Sequence, residues 1–144
     1  MATTYTADKV ASTVQARAGT DLTCVYSTYE ATTKLIINDV IQMCKVPAGA
    51  TVVEVVLSCD DLDTSATPAA VLAVGDGDDV DRYIKDSTIG QTGGTVRLGS
   101  GIVIADCLGY EYTAADTIDV KITTAPAAGG TGTITLAVFY TMQQ

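Results

Sequence analysis

From Lys34 to its end the chain is a succession of short runs rich in Val, Ile and Thr, separated by Gly, Pro and Asp. Such a pattern predicts β-strands rather than helices, because β-branched side chains fit a pleated, half-buried surface. Candidate strands cover residues 22–29, 34–46, 50–59, 68–74, 80–85, 95–98, 102–104, 107–113, 117–124 and 131–141. In the last run Ile134, Leu136, Val138 and Tyr140 alternate with Thr133, Thr135, Ala137, Phe139 and Thr141. Both faces carry apolar groups, so this strand is expected to lie centrally or under a neighbour. The Pro47-Ala48-Gly49 connection predicts a hairpin or a corner between sheets. Roughly eight strands from Lys34 onwards, with turn signals at this spacing, predict an all-β, two-sheet sandwich of jelly-roll type, with an immunoglobulin-like sandwich as the alternative.

The first thirty residues differ in texture. Val10, Val14 and Ala18 recur at four-residue steps and stop before Gly19, which predicts a short amphipathic helix over 8–18, capped by Thr6 or Asp8. A helix of that length is marginal alone. The expected organisation is an N-terminal arm over 1–30 and a β-sandwich domain over 31–144.

Composition narrows the function more than the fold. With 144 residues the chain can bury one core; hydrophobic residues make up 47%, aromatics only 6%, and there is no Trp. Small side chains should therefore fill the space between sheets. The formal charge is -9, and the eight Lys and Arg are scattered, which argues against nucleic acid because phosphate binding needs clustered positive charge. Cys24, Cys44, Cys59 and Cys107 form no CxxC and have no His to complete a metal shell. They are expected to be buried, reduced thiols of a protein made in a reducing cytoplasm. The N-terminus lacks a secretory pattern and no apolar run is long enough for a membrane span, so the expectation is a soluble chain.

Four carboxylates, Asp76, Asp78, Asp79 and Asp81, crowd one turn and are weak metal candidates. Their spacing does not fit an EF-hand loop, since Val80, Asp81 and Ser87 stand at its fifth, sixth and twelfth positions. A solvated β-turn capped by Asp side chains explains the cluster better. Asp60, Asp61 and Asp63 form a second acidic loop, and a cation shared by the two loops is a further reading. Without His there is no base for Ser or Cys nucleophiles, and Gly90 to Gly94 lacks the Lys of a phosphate loop. No catalytic residue and no cofactor are expected. Interface candidates are Tyr5, Val10 and Val14 in the arm, with the paired Tyr26 and Tyr29, and Tyr110 and Tyr112, since Tyr offers large contact area with a polar tip.

Several phrases carry a family likeness: Ala-Thr-Thr-Tyr-Thr at 2–6, Asn-Asp-Val-Ile-Gln-Met-Cys-Lys-Val-Pro-Ala-Gly-Ala at 38–50, Ser-Cys-Asp-Asp-Leu-Asp at 58–63, and Val-Gly-Asp-Gly-Asp-Asp-Val-Asp-Arg-Tyr-Ile at 74–84. In these the chain resembles the capsid decoration, or cement, proteins of tailed bacteriophages. The resemblance implies a homotrimeric β-sandwich on the outside of the virion, bound to the major capsid protein and stiffening the shell. It carries no catalytic or contact residues. A receptor- or glycan-binding module of a head or tail fibre is the alternative.

Overall fold

The structure is a computed structural model that describes residues 1–7 and 19–142, with backbone alone at 19 and 20. Among the described residues nine strands form: β1 (Thr4–Thr6), β2 (Gly19–Ala31), β3 (Val40–Val46), β4 (Ala50–Cys59), β5 (Val71–Gly75), β6 (Ile84–Ser87), β7 (Gly94–Arg97), β8 (Asp116–Thr124) and β9 (Gly132–Met142). They make two sheets, ordered β1-β3-β8-β5-β6 and β2-β9-β4-β7. Successive strands change sheet at every step except from β5 to β6. That alternation is the double Greek key of a jelly roll, built from β2 to β9, with β1 added in parallel at the β3 edge. An immunoglobulin-like sandwich would keep the first two strands of its fold in one sheet. Pro47-Ala48-Gly49 is accordingly a corner between sheets, since β3 and β4 lie in different ones.

The core follows from period-two alternation. Ile118, Val120 and Ile122 of β8 meet Leu136, Val138 and Tyr140 of β9 in one buried cluster, all 0% exposed. β9 is central, paired with β2 on one side and β4 on the other. Cys44, Cys59 and Cys107 are buried in this cluster as small apolar groups. Cys24 departs from the expectation: it is exposed, on the same outward face of β2 as Tyr26.

Several local expectations change. Residues 19–30, placed in the arm from sequence with a candidate strand at 22–29, form β2 together with Ala31 and pair along β9 from Gly19↔Met142 to Ala31↔Gly132. The expected helix at 8–18, with Val10 and Val14, lies outside the described residues. The 34–46 run becomes a strand only at Val40, because Asp39 turns the chain: its carboxylate accepts the amides of Ile36 (2.9 Å) and Thr3 (2.7 Å), and Asn38 sits at φ 69°. The 80–85 run is a turn until Ile84, and Tyr83 and Ile84 are both fully buried. Gly75 permits that turn, since a Cβ there would collide with the Asp79 carbonyl oxygen.

The expected strands at 102–104 and 107–113 are replaced by a one-turn helix, α1 (Ile104–Cys107), and a short paired stretch. Gly109 N–H donates to Val52 (3.0 Å) and Tyr112 N–H to Ala50 (2.8 Å), so this stretch covers the part of the β4 edge that β7 leaves free.

Candidate functional site

Jelly-roll connectivity gathers the loops at two ends of the sandwich. Turn 47–49, loop 76–83 and loop 98–115 meet at one end; loops 32–39, 60–70, 88–93 and 125–131 meet at the other. The first end contains buried Asp76; the other contains buried Asp63 and, in the 32–39 loop, buried Asp39.

At the first end Asp76 is 2% exposed and fully engaged. Its Oδ1 accepts the amides of Asp78 (3.1 Å) and Asp79 (2.8 Å), and its Oδ2 accepts Arg82 Nε (2.7 Å) and Tyr112 O–H (2.7 Å). Because the single Tyr112 proton goes to the carboxylate, Tyr83 O–H donates to Tyr112 at 2.7 Å, making a relay from Tyr83 through Tyr112 to Asp76. The Arg82 guanidinium lies 3.7 Å from the Tyr110 ring centroid, and Tyr110 meets Tyr112 edge-on at 5.0 Å. Burial alone would raise the Asp76 pKa, but the hydrogen bonds from Arg82 and Tyr112 outweigh it and hold the carboxyl below its ordinary value. Burial drives both Tyr83 and Tyr112 well above the ordinary phenol range, so they stay protonated as donors.

The cation of this acidic turn is thus the chain's own Arg82. Asp78 is exposed and Asp79 half-buried, 3.8 Å from Arg82 Nη1, while Asp81 reaches Lys85 at 3.5 Å. Among the described residues no group of three or more Cys, Asp or Glu is placed to hold a metal ion. The solvated turn expected from sequence needs correction at Asp76, whose carboxylate is inside.

At the other end Asp63, 2% exposed, accepts five backbone amides: Ser65 (3.2 Å) and Ala128 (3.0 Å) on Oδ1, and Ala69 (2.7 Å), Ala70 (3.1 Å) and Ala127 (2.8 Å) on Oδ2. Burial opposes its charge, yet these amides overcome that and hold the carboxyl well below the usual carboxylate range. Asp63 and Asp76 lie before and after β5, at opposite ends of the sandwich, so no single cation bridges the two acidic loops.

Asp119 of β8 is a fourth buried carboxylate, and its Oδ1 has no hydrogen-bond partner among the described residues. It borders a cavity of about 140 Å³ lined by Val40, Asp76, Gly77, Val80 and Lys121. Burial, with the charges of Asp116 and Asp76 adding to it, pushes its pKa up to about 6 against a hydrogen bond at Thr117. The alternation of β8 alone does not single it out.

The tyrosine candidates separate by position. The Tyr5 and Tyr29 rings meet at 5.5 Å, tilted by 44°, partly buried against the core. Tyr112 is 4% exposed and Tyr110 lies under Arg82, so this pair serves the interior rather than offering an outward patch. Tyr26 is 54% exposed on the outward face of β2. Leu22, 59% exposed, shares that face, and the sequence pattern misses a second exposed apolar group: Val103, Ile104 and Leu108, 65%, 55% and 50% exposed, around α1.

By sequence, no family model and no curated protein matches. By structure, the chain is similar to a chain in the capsid of Ralstonia phage GP4, with TM-score 0.80 and 27% identity over 98% of this chain and 99% of that one. It is also similar to a chain of the cyanophage Pam1 capsid asymmetric unit, with TM-score 0.75 and 27% identity over 92% of this chain and 96% of that one. A chain in the acidic stable capsid structure of Helicobacter pylori bacteriophage KHP30 shares the fold, with TM-score 0.51 and 19% identity over 83% and 92% of the two chains. The structure neighbours of this chain are therefore phage capsid proteins, a likeness that supports a structural role in the virion and an association with the capsid.

Proposed function

We propose that this chain is a decoration, or cement, protein: a homotrimer that binds the major capsid protein on the outside of a phage head and stiffens the shell by contact, without catalysis. The observation that carries the reading is the near-complete, reciprocal coverage of a capsid chain of the same size and fold, 98% of one and 99% of the other. The acidic surface supports it, since a charge of -9 repels packaged DNA and favours a basic or mixed protein surface. Three copies of one modest contact would bind together far more tightly than singly. Within this proposal the arm is the chain ahead of β2.

Mixing the purified protein with undecorated heads should give saturable, stoichiometric binding and raise the temperature at which the heads open, with a trimer by native mass spectrometry. Heads that neither bind the protein nor gain heat resistance would refute the reading. Reproducible binding to a glycan array under those circumstances would favour the receptor- or glycan-binding alternative.

A further inference from the structure

We propose that the ridge at residues 103–108 is the surface that seats on the shell, and that its counterpart is an apolar groove rimmed by Lys or Arg. The inference rests on the decoration reading and names the face that reading leaves open. Val103, Ile104 and Leu108 are at least half exposed within six residues of chain, whereas scattered single apolar residues are the norm on a protein surface.

The ridge is held rather than loose. Cys107 is 0% exposed, its Sγ donates to the Ile104 carbonyl (3.3 Å), and Leu108 N–H donates to the same carbonyl at 2.9 Å. Ile102 packs on the core, and Gly109 N–H ties the far side to β4. An apolar surface fixed in place loses little freedom on binding, so more of its burial survives as affinity.

Charge identifies the partner. The loops at this end present Asp78, Asp106 and Glu111 to solvent, Asp106 within the ridge itself, with Asp79 and Asp81 beside Arg82 and Lys85; the other end presents Glu30, Asp60 and Asp61, with no equally exposed apolar ridge among the described residues of its loops. Loops 76–83 and 98–115 are bound together by Gly99 N–H to Tyr83 (2.9 Å) and by Arg82 on Tyr110, so ridge and carboxylates move as one. A second copy would bring the same carboxylates against this end. A basic rim would neutralise them and steer the approach.

The test uses the full chain and undecorated heads. Val103→Glu with Ile104→Glu should weaken binding by at least about tenfold, as loss of central apolar anchors does. Asp106→Asn with Glu111→Gln should weaken binding less and flatten its fall with salt. Both sites are exposed, so melting temperature and oligomeric state should match the parent. Parent-like binding by the Glu variant, or loss of its oligomeric state, would overturn the assignment while leaving the decoration reading intact. A parent chain that does not bind heads would overturn both.

Discussion

The two ends of the sandwich solve the same problem, a buried aspartate, with different partners. Asp63 is satisfied by peptide amides from the 60–70 and 125–131 loops, so its bonds tie backbone to backbone. Asp76 is satisfied by two amides of its own turn and by two side chains, Arg82 and Tyr112, which in turn position Tyr83 and Tyr110. An amide cradle closes an end. A side-chain network supports other side chains, and here it underlies the end with the exposed ridge. The difference teaches that acidic density in a sequence does not by itself mark a cation site, because either hub leaves its carboxylate already engaged.

The sharpest way to break the comparison is Asp63→Ala. Five buried amides would lose their acceptor at once, and unmade buried hydrogen bonds cost more than made ones contribute. The melting temperature, followed by circular dichroism, should fall by on the order of 15 °C, further than for any single change at the Asp76 end. A fall of a few degrees would mean that water replaces the carboxylate. Arg82→Met comes next. It strands a buried carboxylate and should destabilise by about 3 kcal/mol in denaturant unfolding. Combining it with Asp76→Asn should recover part of that loss, since the stranded charge is then gone. Strict additivity would show that the two do not act as a pair.

The pattern of alternation carries most of the fold. The sequence bounds of β4 coincide with the structure, 50–59, and the two-faced apolar run of β9 correctly implies a central strand. Reading fails where one residue turns the chain, at Asn38-Asp39 and at Gly75, because a single φ or a side-chain-to-amide bond outweighs a run of β-formers. The hubs are less legible. Asp63 bonds amides, and an amide leaves no residue-type signal; nothing in the sequence separates it from Asp60 and Asp61 in the same loop. Arg82, six residues from Asp76, is visible in the sequence, yet its pairing follows only once Tyr110 and Tyr112 close over it. Tyr110 and Tyr112 look like an outward patch because pairing with β4 cannot be foreseen from their own run.

Asp119 sharpens the comparison through pH. Its folded pKa of about 6 lies above the ordinary carboxylate value, so its neutral form favours the fold. That contribution is complete below about pH 3.9 and is lost as pH rises through 6. Asp63 and Asp76 have the opposite sign: their lowered values add stability above the ordinary carboxylate pKa, lost only as pH falls through their folded values. Unfolding should therefore need more denaturant at pH 4.5 than at pH 7. Asp119→Asn should raise stability at pH 7 by about 1 kcal/mol, after discounting for solvent screening, and flatten this slope. An unchanged slope would place the pH dependence elsewhere.

Tyr112→Phe should have the smallest effect and tests what the first end is made of. It removes one donor from Asp76 Oδ2, which keeps Arg82 Nε at 2.7 Å, and it leaves Tyr83 O–H without its acceptor. The aromatic ring, with its edge-on contact to Tyr110, remains. The cost should be about 1 kcal/mol, or roughly 3 °C in melting temperature. Tyr112→Ala removes the ring as well and should cost several times more. If the relay merely fills space, Phe will match the parent and only Ala will destabilise. If both variants lose the same amount, the hydroxyl chain from Tyr83 to Asp76 is what holds the 76–83 and 98–115 loops together, and this end depends on its polar network as the other depends on its amides.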